Sequence, residues 1–546
     1  MWCSRNCNVI LMVAMWRGGV GRQGPKKCGL GLCQQEIAGN PCLSNDSYIG
    51  EGLERGGSSD LQGYEEIDCH INGEYSIGCR KEGGEIYVYG KLAAYDGYER
   101  FEWSHSYSKV YYPKGKYDPR GVFMYFENYN VEVRDRVKCV SATEGVPVST
   151  QWESQGYYYP TQIAQFGLSH YSKNLTEPEP RHTVLEDAEH DLAHWVVPTD
   201  TTFSRDVDPQ TGSHILQFSS PDGVSLRLDH VLDFVLSVNL RLAVNGSLSV
   251  TLQSRETHDQ VFQLHYICSE LLISAQDRHV YHGIGPCGLD RAWRRLTRDL
   301  VVDLHKGLAY QNRPRRQIDN VTLSTSEHLA QFYDAAQWLV NHQDTSTGGW
   351  PNPVRRRVAP GMADLEPGWY SAMGQGHALS VLARAYHHSG GESSYLQAAL
   401  AGLRPFDVAN SAGGVLASFL GHIPWYEEYP TQPASFVLNG FIYALLGLYD
   451  LSVVAPASAS QQASQLFKQG MTSLKQLLLL YDTGSGTTYD LRHFTLGTAP
   501  NLARWDYHAT HVNQLLLLAT IDPDPLLAAT AERWIGYMSG KRAAHN

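Results

Sequence analysis

The segment with the densest acid–base chemistry is WYEEYP, at residues 425–430. It places Glu427 and Glu428 side by side among three aromatic residues. Burial between rings raises the pKa of a carboxyl group, which lets the group act as an acid or a base near neutral pH. We place the segment on a loop before a helix that begins near Phe436. The alternative is an acidic surface turn in which both carboxylates stay solvated.

A second polar segment, NLARWDYHAT, occupies residues 501–510 directly before a strongly apolar stretch. Residues 504–508 supply Arg, Trp, Asp, Tyr and His side chains in a row, at the predicted start of a helix. This density of polar groups indicates a functional site. The alternative is structural: Asp506 caps the helix, and His508 is an ordinary structural histidine.

A third segment, DTGSGTTYDLRH, spans residues 482–493. Its glycines allow sharp backbone turns, and Tyr489 and Arg492 lie three residues apart, so both side chains could point in one direction. Glycine-rich loops can also bind phosphate. This one lacks the Lys-Ser/Thr of a P-loop, and we therefore exclude a nucleotide site.

A fourth segment, NYNVEVRDR at residues 128–136, precedes Gln151, Tyr159 and Gln162. Glutamine and tyrosine are typical partners of sugar hydroxyls, and the arginines could bind an anionic group. The alternative is a strand with solvated charges.

The elements that must position these residues change type along the chain. Residues 1–62 are rich in Gly, Ser and Cys without periodicity, which predicts a flexible stem. Residues 63–175 contain alternating stretches at 85–90 and 101–107 and an aromatic, β-branched stretch at 122–133. The pattern predicts a β-hairpin-rich unit.

Residues 176–323 show short alternating runs at close spacing, typical of an antiparallel β-barrel or sandwich. Residues 324–546 change to helical periodicity. We predict helices near 370–386, 394–403, 435–451, 461–480, 507–520 and 524–538. Joined by long aromatic loops, they resemble an incomplete (α/α) toroid with a cleft at one end. The predicted fold class is α+β multidomain.

Composition narrows the ligand class. The net charge of −12 argues against a general nucleic-acid binder. The 32 Tyr and 12 Trp supply rings that can stack on sugars, although many such rings belong to cores and sheets. The ten cysteines include no paired CxxC spacing, so a zinc site is not expected. Cys69 and Cys79 are close enough in sequence to form a disulfide.

Four Asn-x-Ser/Thr sequons, at Asn45, Asn174, Asn245 and Asn320, favour a lumenal protein. The apolar run from Val9 to Trp16 is too short for a spanning helix, which needs about 20 residues. It could be a weak signal h-region. The chain shows no other candidate membrane span.

Long motifs in this sequence resemble the D-glucuronyl C5-epimerase family of heparan sulfate and heparin synthesis, over about residues 63–546. The family resemblance implies a β-hairpin unit, a β-barrel and an (α/α) domain. It also implies a dimeric type II membrane protein of the Golgi lumen, with other heparan sulfate biosynthetic enzymes as potential partners. The expected reaction converts glucuronate to iduronate within N-sulfated heparosan. The motifs are YDPRGVFMYFENYNVEVRDRVKC, GLSHYSKNL, LEPGWYSAM, WYEEYPT, SFVLNGF, LYDTGSGTTYDLRHF and APNLARWDYH.

The same resemblance assigns roles to individual residues. Glu428, Tyr429 and Tyr507 match the catalytic residues of the family. Asp187, Glu189 and Asp319 fall near the positions that bind a calcium ion, for which oxygen ligands are suitable. No nucleotide cofactor is implied. The residues that match substrate contacts are Tyr129, Arg134, Asp135, Arg136, Gln151, Tyr159, Gln162, Arg357, Val358, Ala359, Pro360, Asn439, Tyr443, Tyr489, Arg492, Asn501, Leu502, Ala503, Arg504, Trp505, Asp506, His508, Ala509 and Thr510.

Inversion at C5 requires that a proton leave one face of the sugar and return on the other. We expect Glu428 and Tyr507 to perform the two transfers, assisted by Tyr429. Arg492, with Arg504, would stabilise the enediolate. A uronate lyase and a non-catalytic polysaccharide-binding protein are the alternatives. A hydrolase is less favoured because the adjacent Glu427 and Glu428 would rarely oppose each other.

Overall fold

The computed structural model describes residues 8–16, 65–71, 75–82, 85–88, 90–95, 98–103, 105–107, 109–180, 182–188, 195–209, 212–220, 223–228, 234–243, 246–254, 261–288, 292–311 and 327–544. Apart from strand β1 (Asn8–Trp16), the predicted stem at 1–62 lies outside these residues. Within the described segments, no helix is both long and apolar enough to cross a membrane.

Hairpins follow the stem, as the alternating pattern predicts. A disulfide joins Cys69 to Cys79 across the first two strands of this unit, which confirms that pairing. One sheet has the order β2-β3-β4 with β7 on β3, and β5 pairs with β6. The strands are β2 (Glu65–Ile71), β3 (Tyr75–Glu82), β4 (Glu85–Val88), β5 (Gly90–Tyr95), β6 (Tyr98–Trp103) and β7 (His105–Tyr107).

The predicted strand at 122–133 is wrong. This stretch forms turns and one turn of 3-10 helix at Phe126–Asn128. Phe123 and Phe126 are fully buried against His377 and Tyr443, which belong to the later helices. These rings fill the helical core. Aromatic residues are also typical of strands, and for this reason the composition of the segment led to the wrong prediction.

A 17-residue helix, α1 (Pro160–Thr176), was not predicted. Its first residue is proline, which suits the first helical position because no backbone donor is lost there. Gly167 lets the helix pack closely, since a Cβ there would lie 2.9 Å from Ala335. Most buried apolar residues between Tyr117 and Tyr171 thus contribute to the same core as the C-terminal helices, whereas Cys139, Ala142 and Val148 belong to the core of the sheets.

The middle of the chain forms open sheets rather than a closed barrel in the described residues. The largest sheet has the order β11-β14-β1-β16-β17-β19-β18, and its edge strands β11 and β18 do not pair with each other. A second disulfide joins Cys268 to Cys287. The elements are β8 (Val137–Val140), β9 (Pro147–Ser149), β10 (Tyr157–Tyr158), β11 (Trp195–Val196), β12 (Thr202–Val207), β13 (His214–Ser219), β14 (Val224–Leu228), β15 (Val235–Leu240), β16 (Ser247–Ser254), β17 (Val261–Ile267), β18 (Ser274–Gln276), β19 (His279–Gly283), β20 (Arg294–Asp299) and α2 (Leu300–Gln311).

The C-terminal region is helical, and the six predicted helices are confirmed within a few residues. It also contains a hairpin, β21–β22, that carries the paired glutamates at its end. The incomplete (α/α) toroid stays a prediction. The elements are α3 (His328–Asn341), α4 (Ala372–His388), α5 (Ser393–Ala401), α6 (Arg404–Asp407), β21 (Leu416–Phe419), β22 (Ile423–Tyr426), α7 (Leu438–Val454), α8 (Gln461–Leu477), α9 (Arg492–Leu496), α10 (Trp505–Ile521) and α11 (Pro525–Met538).

Helices α4 and α7 form the centre of this region. A buried ion pair joins Arg384 of α4 to Asp450 of α7 at 2.6 Å, and the Tyr117 hydroxyl donates to the same carboxylate. Gly447 allows the helices to approach, because a Cβ there would lie 2.6 Å from the Cα of Gly376 and closer still to its carbonyl oxygen. Breaking a buried pair of this kind costs about 3–5 kcal/mol. The C-terminal half of α7 is therefore held firmly against α4.

Candidate active site

Glu427 anchors the loop that leads into α7. It is fully buried, and its carboxylate accepts hydrogen bonds from Ser435 Oγ at 2.8 Å and from the Phe436 backbone N–H at 2.9 Å. Burial raises the pKa of Glu427 to about 8, although these donors oppose the shift. Its side chain is committed to the loop, and we assign it a structural role.

Glu428 is different, although it is also buried, with 5% of its surface exposed. Its Oε2 atom is buried and has no hydrogen-bond partner among the described residues. Burial raises the pKa of Glu428 to about 7, and interactions with Tyr429 and Arg356 partly oppose this. A pKa near neutrality suits a group that must both take up and release a proton.

Gly440, in the first turn of α7, makes room for Glu428. A Cβ at this position would lie 2.6 Å from the Cβ of Glu428 and closer still to its carboxylate. Real Cβ atoms essentially never approach other heavy atoms below 3.0 Å. Any side chain at this position must therefore displace the glutamate.

Gly440→Ala is expected to lower kcat by about 100-fold, because a displacement of roughly 1 Å can cost that much in a proton transfer. Steady-state kinetics and a melting curve would test it. Gly536→Ala in α11 is the matched control, since its Cβ would meet only the flexible Lys541 side chain. Near-parent kcat in Gly440→Ala would contradict the requirement for this glycine.

Four tyrosines lie near enough to Glu428 for its charge to act on their hydroxyls: Tyr159, Tyr429, Tyr489 and Tyr507. Burial raises the pKa of each hydroxyl, and the charge of Glu428 contributes to each shift. The rings of Tyr489 and Tyr507 meet edge to face, with centroids 4.8 Å apart. The three predicted catalytic residues, Glu428, Tyr429 and Tyr507, are thus brought together. Tyrosines with raised pKa values stay protonated at neutral pH and can donate.

The predicted contacts on the β side lie at the start of α1 and in the turn before β8. Tyr159 is the N-cap residue of α1. Arg136 is exposed, and its charge slightly opposes the raised pKa of Tyr507. Gln162 is buried, and its Oε1 atom lacks a partner among the described residues. The Arg134 guanidinium lies 5.0 Å from the Tyr129 ring centroid and donates to Gln165. Asp135 is exposed and Gln151 half-buried.

Helix α2 holds this turn from the sandwich side. The Lys306 ammonium donates to the backbone carbonyls of Arg134 and Val137, each at 2.9 Å. The sandwich therefore fixes the backbone of the turn that carries Arg134 and Arg136.

The predicted contacts in α7 and after α8 differ in whether their polar groups are free to bind a ligand. Asn439 is buried beside Gly440 with its Oδ1 atom unpartnered among the described residues, so it could bind a ligand. Tyr443 is buried against Phe126 and His377. Arg492 lies 3.6 Å from Asp490, which also accepts from Asn501 Nδ2 at 2.8 Å.

Only part of the segment 501–510 reaches the cluster. Arg504 is 70% exposed, pairs with Asp506 at 2.8 Å and lies over the Tyr507 ring. His508 is held in the core by Thr487 at 3.0 Å and the Trp534 carbonyl at 2.9 Å, which is the structural alternative considered for it. The remaining members are structural or exposed: Leu502 is exposed, Ala503 donates to Thr487, Trp505 packs on His508, Ala509 is buried, and Thr510 donates to Asp506.

Arg356 is not among the predicted substrate contacts. In the arginine run at residues 355–357, Arg356 forms an isolated antiparallel β-bridge with Leu365. The backbone is therefore extended, and successive side chains point to opposite sides. Arg355 and Arg357 are exposed, whereas Arg356 lies 5.0 Å from the Trp152 ring centroid and 5.8 Å from that of Tyr429. Within the predicted segment that follows, Val358 packs against the Tyr429 cluster, Ala359 is buried and Pro360 is exposed. Strand-like alternation was the signal that could have identified Arg356.

The calcium prediction is open. Asp187 is described and exposed, whereas Glu189 and Asp319 lie outside the described residues. In the part of the chain that the structure describes, no group of three or more His, Cys, Asp or Glu side chains could hold a metal ion.

Comparison with known proteins gives a consistent result. A family model described as "D-glucuronyl C5-epimerase C-terminus" matches residues 343–536, and one described as "D-glucuronyl C5-epimerase, beta-sandwich domain" matches residues 212–327. An uncharacterized protein of Methanocaldococcus jannaschii is 32% identical over 158 residues, 28% of this chain and 47% of that protein.

A protein named D-glucuronyl C5-epimerase, from Caenorhabditis elegans, is 38% identical over 566 residues. The match covers 88% of this chain and 90% of the worm protein. Both family models carry the same name as this relative, and one of them spans Glu428, Tyr429 and Tyr507. The chain therefore belongs to the D-glucuronyl C5-epimerase family.

Proposed function

We propose that this protein converts D-glucuronate to L-iduronate within N-sulfated heparosan by inverting C5. The observation that carries the proposal is Glu428: a buried carboxylate with a pKa raised to about 7, with four protonated tyrosines near it. A carbon acid next to a carboxylate needs a desolvated base and a positioned acid. The cluster supplies both.

In the first step, Glu428 removes the C5 proton, and the electron pair moves into the substrate carboxylate to give an enediolate. In the second, the Tyr507 hydroxyl gives its proton to C5 from the other face, and the electron pair returns to form the C–H bond. Glu428 then holds a proton and Tyr507 is a tyrosinate. Tyr429 and Tyr489 both interact with the charge of Glu428, and Tyr489 also interacts with Tyr507. Together with solvent, these two tyrosines would help to return the proton from Glu428 to Tyr507.

The substrate would lie between the start of α1 and the helical region. Trp152, Tyr159, Trp369 and Tyr429 pack together and offer aromatic faces to sugar rings. The β-side arginines and Arg492 would bind the anionic groups of the polysaccharide. This accounts for an acidic chain that takes an acidic substrate, because local patches decide recognition.

The hydrolase alternative is disfavoured by Glu427. A glycosidase needs two carboxylates across the scissile bond. Glu427 instead accepts hydrogen bonds from Ser435 and Phe436 within its own loop. A lyase remains chemically close, since it also removes the C5 proton but then expels the C4 oxygen.

Incubation of N-sulfated heparosan with the enzyme in deuterium oxide tests the proposal. We expect deuterium at C5, iduronate in the product and unchanged chain length. Cleavage with an unsaturated product would indicate a lyase. The absence of both exchange and cleavage, with binding retained, would indicate a non-catalytic binding protein.

We also propose a calcium ion with a structural role, held by Asp187, Glu189 and Asp319. A metal that binds only the folded state stabilises it by mass action. A chelator should therefore lower Tm, and added calcium should restore it, with little change in kcat of the calcium-loaded enzyme. An unchanged Tm together with no calcium by elemental analysis would contradict this proposal.

We also propose residence in the Golgi lumen and, on the family resemblance, homodimer formation. The two disulfides and the exposed sequon residue Asn174 support an oxidising, glycosylating compartment. Interaction with other heparan sulfate biosynthetic enzymes is proposed on the family resemblance alone.

A further inference from the structure

We propose that Arg356 binds the carboxylate of the uronate that reacts and stabilises the enediolate formed there. This deepens the proposed function and rests on it. Arg492 and Arg504 were expected to perform this task. Arg504 is paired with Asp506 and largely exposed, and Arg492 lies beside Asp490. Arg356 has a different environment.

The Arg356 side chain lies in the candidate site and, among the described residues, forms no salt bridge with a carboxylate. Its Nε atom is buried and has no hydrogen-bond partner among the described residues. Its guanidinium lies near the rings of Trp152 and Tyr429, and these rings fix its plane without satisfying its donors. A buried donor without a partner is costly and indicates that a ligand completes it.

Backbone geometry directs this side chain inward. Arg356 exchanges two backbone hydrogen bonds with Leu365, each at 2.9 Å, and so adopts an extended conformation. Its neighbour Arg355 points out and pairs with Asp364 at 3.1 Å and Glu366 at 3.2 Å. The two adjacent arginines therefore have separate roles.

Proximity to Glu428 identifies the ligand group. The Arg356 charge acts on the carboxyl of Glu428 and lowers its pKa against the effect of burial. A base that reaches the C5 hydrogen has the substrate carboxylate directly beside it, because that carboxylate is attached to C5. Two N–H donors of one guanidinium can bind both carboxylate oxygens, and the attraction grows as charge develops on them.

Arg356→Gln is expected to lower kcat by about 10²–10³-fold with KM changed by only a few fold, since the interaction strengthens in the transition state. The acid limb of the kcat/KM profile should also move to higher pH, because Glu428 loses a neighbouring positive charge. Arg356→Lys keeps the charge and the packing. It should retain the position of the acid limb but lose most of kcat, because an ammonium cannot bind both oxygens in one plane.

Kinetics and pH profiles of parent, both Arg356 variants and the control Arg355→Gln, on N-sulfated heparosan, would decide the matter. Melting curves show whether each variant is folded. If Arg356→Gln does not fold, Arg356→Lys still tests the proposal. A rise in KM with unchanged kcat would mean that Arg356 binds a remote anion such as a sulfate, which overturns the proposal. Near-parent kinetics in both variants would also overturn it. Failure of the parent to epimerise would instead refute the proposed function.

Discussion

Glu428→Gln is expected to abolish epimerisation while leaving the protein folded and able to bind the polysaccharide. The amide has the shape of the carboxylate but cannot take up the C5 proton. Loss of such a group costs about 10²–10⁴-fold in rate. Iduronate formation measured against a binding isotherm on the same sample would test this. Turnover near the parent value would rule out Glu428 as the base.

The same substitution should raise stability at neutral and alkaline pH. Burial moves the pKa of Glu428 from an ordinary value of 4.5 to about 7, so the folded protein holds this proton more tightly than the unfolded chain. The stability that Glu428 contributes is therefore present below pH 4.5 and is lost as pH rises to about 7. At pH 8 the ionised Glu428 lowers the free energy of unfolding of the parent by roughly 3 kcal/mol. Glu428→Gln should melt above the parent at pH 8, and a lower Tm there would contradict the burial argument.

Glu427→Gln provides the matched control. Because the pKa of Glu427 lies near 8, this side chain is mostly protonated at pH 7, and a glutamine imitates that state. The variant should keep kcat within about tenfold of the parent, since removal of a group outside the proton transfer does not carry the cost of general acid–base catalysis. Equal losses in the two glutamine variants would contradict the separate roles of the adjacent glutamates.

Tyr507→Phe is expected to stop inversion while leaving the fold intact, with a loss of about 10²–10⁴-fold in the rate of iduronate formation. The ring stays in place against Tyr489, and only the hydroxyl is removed. Glu428 could still remove the C5 proton and return it to the same face. Slow exchange of deuterium into glucuronate should therefore continue without inversion.

Exchange and inversion must be measured together on one sample of Tyr507→Phe. If both fall by the same factor, Tyr507 only orients the substrate and does not transfer the proton. Epimerisation near the parent rate would place the second proton-transfer group elsewhere, with Tyr429 and Tyr489 the next candidates. Tyr112→Phe is a suitable control because that ring is 66% exposed.

The helices of the C-terminal region could be predicted from sequence because each has an apolar face and a clear break at either end. The error at residues 122–133 has a different origin. Phe123 and Phe126 are apolar because α4 and α7 surround them, and those helices lie more than 240 residues further along the chain. Helix α1 was missed for the same reason, since it is buried on most of its surface against α3 and α4.

The parts of the candidate site that lie within contiguous sequence motifs could be predicted. Glu428, Tyr429 and Tyr507 belong to conspicuous motifs, and the fold brings them together. Residue types and spacing alone could not tell Glu427 from Glu428, and only the family resemblance indicated Glu428. The physical difference depends on Ser435 and Phe436, which fold back onto Glu427. The burial of His508 between Thr487 and Trp534 is equally a product of tertiary packing.

Two groups on opposite faces of the sugar transfer the proton in the proposed mechanism, and heparosan labelled with deuterium at C5 distinguishes this from transfer by a single group. In a single turnover in ordinary water, Glu428 would take the deuterium and Tyr507 would deliver a hydrogen. We therefore expect iduronate with hydrogen at C5, formed with a primary isotope effect, while unreacted glucuronate keeps its deuterium. Iduronate that retains the deuterium would show that one group both removes and returns it, and would rule out the two-group mechanism.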